Sequence, residues 1–153
     1  MVVATRLGEL NVEEKDIVQF PQGILGFEEY KRYTVIEQED SVFSFLQSID
    51  EPELAFVVMY PELVDGSYSV ALTKEQIALL EIDNPSDGLV YGIVTVPEKV
   101  SEMTINLQAP IVINKNKNLG AQIVLMDGKY HTRHNVLAEL QASAYYEAKK
   151  ANA

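Results

Sequence analysis

The sequence predicts a mostly β protein, a compact antiparallel β-barrel-like single domain with short helical insertions and a C-terminal helix. About ten short segments alternate or run apolar at regular spacing, and almost none is followed by a helix that could serve as a crossover. This pattern is typical of an antiparallel barrel or sandwich. A chain of 153 residues with 47% hydrophobic content is long enough to bury one core.

The first half of the chain consists of predicted strands separated by tight turns. Residues 2–6 and 9–12 flank Leu7-Gly8 and predict an opening hairpin with a glycine turn. Residues 54–60 are apolar at every position, as in a strand that is buried on both faces. Residues 28–31 predict a single helical turn. The remaining strands of this half are predicted at residues 17–20, 33–36 and 42–49.

The second half contains both longer helical predictions. Residues 67–72 alternate between larger apolar and small side chains, which predicts a strand. Thr73 and Gln76 form a capping-box pattern that opens a short helix, and residues 83–88 carry the strongest turn signal. Residues 135–150 show a long helical pattern. Further strands are predicted at residues 89–96, 103–107, 111–114, 121–126 and 129–132, with a polar hairpin loop at 115–120.

The charge of the chain is strongly negative and unevenly distributed. The formal net charge is −11, and residues 1–102 carry 20 of the 23 acidic residues but 6 of the 12 basic ones. Such a field repels phosphate backbones and accelerates encounters with basic partners, although acidity also serves solubility alone. We therefore expect no direct binding to nucleic acid. The chain has no cysteine, and neither a signal sequence nor an apolar run that could cross a membrane, so we expect a cytoplasmic protein without membrane contact.

Side chains that could support catalysis or metal binding are sparse. His131 and His134 are three residues apart, but they straddle the end of a predicted strand, and Asp127 is the nearest acid, so no third ligand is evident. The sequence has no Gly-x-Ser-x-Gly motif, and the apolar Gly23-x-x-Gly26 segment lacks the Lys-Ser/Thr of a phosphate loop. The sequence thus predicts no catalytic residue, no cofactor and no metal site. A small barrel can nevertheless assemble a site from distant residues.

The segment from Phe20 to Phe27 is unusual because it is an apolar loop. Its larger side chains must either pack into the core or form an exposed apolar patch. If the patch is exposed, the neighbouring carboxylates of Glu28 and Glu29 would suit a partner that has both apolar and basic surface.

Six blocks of the chain resemble one known family, in the expected order and at the expected intervals. The blocks are Phe20-Pro-Gln-Gly-Ile-Leu-Gly-Phe-Glu28, Phe45-Leu-Gln-Ser-x-Asp50, Leu54-Ala-Phe-Val-Val58, Val94-Thr-Val-Pro97, Met103-Thr-x-Asn-Leu-x-Ala-Pro-Ile111 and Tyr130-x-x-Arg-His134. They resemble the flagellar assembly factor FliW family. The resemblance covers roughly residues 2–137, so we expect a FliW-like β domain at 1–137 and a helical C-terminal tail at 138–153.

The resemblance implies a β-barrel-like fold and a role in bacterial flagellum biogenesis. Members of this family bind the RNA-binding translational regulator CsrA and relieve its repression of flagellin mRNA; they also bind flagellin, which gives a partner switch. The alternatives are a flagellin-dedicated chaperone, or a small β-barrel enzyme or ligand carrier. We interpret Asn106, Gln108 and Pro110 as shaping a turn or satisfying buried backbone. The candidate partner-binding residues are Leu25, Phe27, Glu28, Glu29, Glu37, Glu39 and Asp40.

Overall fold

A computed structural model describes residues 1–6 and 8–140 of the chain. The described elements are ten strands, the α-helix α1 (Lys74–Leu80), four short 3₁₀ turns and a helical segment at residues 136–140. The strands are β1 (Val2–Thr5), β2 (Gly8–Asn11), β3 (Val18–Gln19), β4 (Arg32–Glu37), β5 (Ser44–Ser48), β6 (Ala55–Met59), β7 (Gly88–Thr95), β8 (Thr104–Asn114), β9 (Leu119–Gln122) and β10 (His134–Asn135). The predicted mostly β fold is confirmed.

Seven of these strands close into a barrel. The order is β8-β7-β6-β5-β4-β3-β9, and β9 pairs back onto β8. Every neighbouring pair is antiparallel except β3 and β9, which meet in parallel through the single pair Gln19 and Leu119. The strands β1 and β2 form a separate hairpin, and β10 adds to the far end of β8. Because the sheet closes on itself through the pairing of β9 with β8, the architecture is the barrel and not the sandwich that the sequence also allowed.

The barrel is packed both inside and outside. The inner core contains one or two large side chains from most barrel strands, together with two from the loop that follows β3: Val18, Phe20, Ile24, Tyr33, Leu46, Val58, Tyr91, Ile111 and Ile113. A second core lies between the other face of β6–β9 and a covering layer that includes α1. The predicted capping box of α1 is confirmed, because the side chain of Thr73 accepts from the Gln76 N–H while the side chain of Gln76 accepts from the Thr73 N–H.

The strand predicted at residues 67–72 is wrong, although its alternation is real. Tyr68, Val70 and Leu72 are partly buried against the outer core, and the residues between them are exposed. The segment is in neither a strand nor a helix. Side chains that alternate between buried and exposed at every second residue indicate an extended backbone with one face buried. This alternation does not require that a neighbouring strand is hydrogen-bonded to the segment. The Tyr68 hydroxyl donates a hydrogen bond to the Leu107 carbonyl at 2.8 Å, which attaches the segment to β8 through a side chain.

The two strands predicted at 103–107 and 111–114 are a single strand, β8, that bulges opposite Gly92. Tyr91 pairs with Ile111 and Ile93 pairs with Asn106, so four residues of β8 oppose one residue of β7. The Asn106 side chain accepts from the backbone N–H groups of residues 108 and 109 at 3.0 and 2.9 Å. Our interpretation of Asn106 as a turn-shaping residue is confirmed. Pro110 fits because a bulge does not need its missing N–H.

Other local predictions differ from the structure. Residues 28–29 form a turn, and residues 30–31 connect it to β4, so the predicted helical turn is absent there. Residues 129–132 are not in a strand. The last strand, β10, comes two residues later. Residues 136–140 are helical, as the C-terminal helix prediction requires, and the rest of the predicted tail lies outside the described residues. Within residues 1–6 and 8–140, no helix is long and apolar enough to cross a membrane.

Two buried tyrosines, Tyr33 and Tyr91, and the partly buried Tyr68 predict alkaline destabilisation. Burial raises the pKa of Tyr33 from 10.0 to about 12, with a smaller contribution from Tyr30, and burial also raises the pKa values of Tyr68 and Tyr91. Between the unfolded and folded pKa values the native state binds more protons, so stability falls as pH rises above about 10. Urea denaturation at a series of pH values should show this decline.

The variant Tyr33→Phe supplies the control for this decline. The Tyr33 hydroxyl is buried and has no hydrogen-bond partner among the described residues, so its removal should leave stability at neutral pH unchanged or higher. The alkaline decline should become shallower. An unaltered pH profile in this variant would contradict the assignment to Tyr33.

Candidate functional site

The apolar loop between β3 and β4 is built from three successive turns. The Gly23 N–H donates to the Phe20 carbonyl at 2.9 Å, the Phe27 N–H to Ile24 at 2.7 Å, and the Tyr30 N–H to Phe27 at 3.1 Å. Gly23 and Gly26 have φ values of +69° and +88°, which favour glycine. Gly26 occupies the third position of its turn, where a type II turn requires positive φ.

The loop both packs into the core and exposes an apolar tip. Phe20 and Ile24 are 0% and 1% exposed, so they close this end of the barrel interior. Leu25 and Phe27 are 62% and 38% exposed. The Phe27 ring packs edge-on against Phe56, with ring centroids 5.3 Å apart. The sequence allowed a loop that packs into the core or one that forms an exposed apolar patch, and different residues of this loop do each.

Gln122 fixes the loop to the bulge of β8. Its side-chain oxygen accepts from the Leu25 N–H at 2.9 Å, and its side-chain nitrogen donates to the Ala109 carbonyl at 3.2 Å. One amide thus satisfies backbone groups of two segments that are far apart in the sequence. Gln122 carries no signal in the sequence, because no local pattern marks a residue that reaches across 97 positions.

Two of the predicted carboxylates lie directly beside the apolar tip. The Glu28 carboxylate accepts from the Gly26 N–H at 2.9 Å. Backbone hydrogen bonds, first from Gly26 and then from its own N–H, lower the pKa of Glu28. The neighbouring Glu29 is exposed and raises the pKa of the Tyr30 hydroxyl more than any other group does. The tip is therefore flanked by negative charge at neutral pH.

The other three predicted acids lie at the opposite end of β4. The loop leads into Arg32 at the start of this strand, whereas Glu37 ends it and precedes Glu39 and Asp40. Five residue steps at about 3.4 Å separate the two ends by roughly 17 Å. All three are exposed, and Asp40 has a φ of +55° in the turn to β5. The structure thus divides the predicted set into a tip group and a far group.

A groove beside the tip is lined partly by residues that are distant from the loop in the sequence. It has a volume of about 340 Å³ and lies between the loop and the turn that precedes β6. Its lining residues include Phe27, Tyr30, Leu54, Glu29, Glu51 and Glu53. Glu51 and Glu53 are some 25 positions after the loop, and the return of the chain through β4 and β5 brings them to it.

The two histidines form a stacked pair. Their ring centroids are 3.7 Å apart, and the backbone N–H of His131 donates to Nε2 of His134 at 3.1 Å. Burial is the largest cause of a lowered pKa at His134, followed by His131. Among residues 1–6 and 8–140 there is no group of three or more His, Cys, Asp or Glu side chains that could hold a metal ion.

Comparison with known proteins identifies the family. The family model described as FliW protein matches residues 1–136. The chain belongs to the FliW family of flagellar assembly factors. It is 39% identical to the flagellar assembly factor FliW of Ruminiclostridium cellulolyticum, over 92% of this chain and 97% of the relative. It is 41% identical to the FliW of Caldanaerobacter subterraneus subsp. tengcongensis, over 92% and 95%.

A solved FliW structure has the same fold. The crystal structure of the flagellar assembly factor FliW matches this chain with a TM-score of 0.84 and 39% identity, and the match covers 89% of this chain and 96% of that one. The resemblance stated from the sequence is therefore confirmed. Two of its FliW blocks, residues 20–28 and 103–111, meet in space through Gln122, which belongs to neither.

Proposed function

We propose that this chain is a cytoplasmic flagellar assembly factor that binds a CsrA-type RNA-binding regulator and thereby relieves repression of flagellin mRNA. In the same proposal flagellin competes for the chain, so that free flagellin returns the regulator to its mRNA. The observation that carries the proposal is the exposed apolar tip formed by Leu25 and Phe27, with Glu28 and Glu29 beside it. Exposed apolar groups with a charged rim are typical of protein-binding surfaces.

The charge of the chain supports this choice of partner. A net charge of −11 favours encounters with a basic, RNA-binding protein and opposes direct binding to nucleic acid. An acidic protein docked on such a regulator would also repel RNA at short range, within a Debye length of about 8 Å at physiological salt. In this function the chain acts by binding proteins, with no catalytic step, cofactor or membrane contact.

The tip group and the far group are expected to contribute differently. Leu25, Phe27, Glu28 and Glu29 would contact the partner directly. The far group, Glu37, Glu39 and Asp40, would make no direct contact with a partner at the tip. Because roughly 17 Å exceeds the Debye length of about 8 Å at physiological salt, its field would be largely screened there and would act on the partner mainly at low salt. Contacts chiefly determine the dissociation rate, whereas remote charges chiefly affect the association rate at low salt.

This difference gives a testable prediction for partner binding. The variant Phe27→Ala, and separately the double reversal Glu28→Lys with Glu29→Lys, should weaken CsrA binding by roughly tenfold or more through faster dissociation. Surface plasmon resonance at two salt concentrations measures both rates. The matched control, Glu37→Lys with Glu39→Lys, should slow association at low salt and leave dissociation unchanged. If neither tip variant alters the affinity, the interface lies elsewhere on the chain.

Competition separates the partner switch from a flagellin-dedicated chaperone. Purified chain, CsrA and flagellin are mixed, and the complexes are resolved by size-exclusion chromatography with light scattering. The switch predicts two binary complexes and displacement of CsrA by flagellin. A stable ternary complex would refute the switch, and flagellin binding without any CsrA complex would favour the chaperone.

A further inference from the structure

The groove beside the apolar tip combines an apolar floor with an acidic rim. Phe27, Tyr30 and Leu54 supply the floor, and the carboxylates of Glu29, Glu51 and Glu53 stand around it in a volume of about 340 Å³. The floor is packed against the barrel on one side, where the Phe27 ring lies edge-on against Phe56 in β6. Such a volume is at the lower end of those that hold a small ligand or a single anchoring side chain.

The rim carries more negative charge than its neighbours neutralise. Glu29 and Glu51 line the groove together with Tyr30. Glu29, then burial, then Glu51 raise the pKa of the Tyr30 hydroxyl. Arg6 lies 3.5 Å from Glu53, but both side chains are mostly exposed, so this ion pair is weak. Arg32 at the start of β4 is held by Asp50 instead. Lys31, which follows Tyr30 in the chain, is exposed and lowers the pKa of Glu28. A cation from outside would therefore meet three carboxylates whose competing cations, Arg6 and Lys31, are both solvent-exposed.

We propose that this groove binds one arginine side chain presented by a protein partner. This inference rests on the proposed function, and it specifies the chemistry of the partner at the tip. A guanidinium group has a flat face that stacks on aromatic rings and edges that donate paired hydrogen bonds to carboxylates. The aliphatic part of the arginine would lie on Leu54, and an apolar neighbour in the partner would contact Leu25.

Arginine fits this groove better than lysine for a geometric reason. The floor contains two aromatic rings, and the carboxylates come from two different segments, residue 29 in the loop and residues 51 and 53 in the following turn. A planar group with five donors can stack and reach acceptors on both sides at once, whereas an ammonium group is a compact and strongly hydrated point charge. A protein segment, rather than a free small molecule, is indicated because Leu25, which directly precedes the lining residue Gly26, is also exposed and apolar.

A peptide titration tests the groove independently of CsrA. The probes are acetyl-Leu-Arg-Leu-amide and the same peptide with lysine or citrulline in place of arginine, added at millimolar concentration to isotope-labelled chain and followed by NMR. We expect shifts centred on Phe27, Tyr30 and Leu54, with binding of the arginine peptide about fivefold tighter than that of the citrulline peptide. Equal binding of the lysine peptide, equal binding of the citrulline peptide, or shifts elsewhere would overturn the proposal.

Variants connect the groove to the proposed function. Glu51→Gln combined with Glu29→Gln should remove the preference for arginine over citrulline and weaken CsrA binding about tenfold. The control Glu75→Gln removes the same kind of charge from α1, which does not line the groove, and should change neither. Loss of peptide discrimination with unchanged CsrA affinity would overturn the assignment of the groove to that partner. A chain that discriminates the peptides but forms no CsrA complex would contradict the proposed function alone.

Discussion

The substitution Gly23→Ala is expected to lower the free energy of unfolding by about 3 kcal/mol or more and to disrupt the apolar tip. Gly23 has a φ of +69°, and a Cβ atom built on it would lie 2.6 Å from Cα of Glu28 and 2.8 Å from the Glu28 carbonyl oxygen. The obstacle is backbone, so no side-chain rotation can relieve it. The loop must open, and Ile24 then loses its place in the inner core. Urea denaturation measures the loss.

Two other glycines form a graded control series for this prediction. Gly26 has a φ of +88° but open space around its Cβ position, so Gly26→Ala should cost about 1 to 2 kcal/mol from backbone strain alone. Gly66 has neither positive φ nor a close neighbour, and Gly66→Ala should change stability by less than about 1 kcal/mol. If all three substitutions cost the same, close packing of residues 23 and 28 is not the cause.

The substitution Asn114→Ala is expected to cost about 3 to 5 kcal/mol. This side chain is 1% exposed and makes four hydrogen bonds. Its nitrogen donates to the carbonyls of Leu80 and Glu81, at 2.8 and 3.0 Å, where α1 ends. Its oxygen accepts from the N–H groups of residues 116 and 117, at 3.0 and 3.3 Å, in the β8–β9 hairpin loop. Alanine leaves four backbone groups without these partners, which calorimetry should register as a lower Tm.

A neighbouring asparagine provides the control for Asn114. The side chain of Asn116 donates to Asp87 at 2.8 Å in an exposed setting, so Asn116→Ala should cost less than about 1 kcal/mol. Asn114→Asp is the sharper test, because it keeps the acceptor but directs a buried charge at two carbonyl oxygens. It should be at least as destabilising as alanine. A mild effect of Asn114→Asp would show that this site is not closed to water.

Features encoded by neighbouring residues could be predicted from the sequence. The capping box of α1 requires Thr73 and Gln76 alone, and it is confirmed. The opening hairpin is also confirmed, although its glycine, Gly8, begins β2 and pairs with Thr5. The turns around Gly23 and Gly26 likewise follow from local composition. The family resemblance added the barrel, whose closure depends on which distant strands meet.

Features that depend on distant contacts could not be predicted. Alternation at residues 67–72 indicated an extended segment correctly, but whether a neighbouring strand bonds to it is decided elsewhere in the chain. Pro110 made one long strand look like two, because the bulge that accommodates it is defined by Gly92 on another strand. Glu37 was grouped with the tip although β4 carries it to the opposite end, whereas Glu51 was not selected although the fold returns it to the loop. Proximity along the chain was a poor guide to a shared surface.

The single parallel pair between β3 and β9 gives the barrel a seam. Gln19 and Leu119 are the one residue pair between these strands, and the Gln19 N–H donates a hydrogen bond to the Asn118 carbonyl at 2.9 Å. By contrast, β7 and β8 share seven residue pairs. Local opening should begin where the fewest bonds must break. The apolar loop leaves directly from β3, and Gln122 holds its other side to β9. A partner that binds this loop therefore also holds β3 and β9 together. Because it binds the closed barrel, its binding free energy adds to the free energy needed to open the barrel.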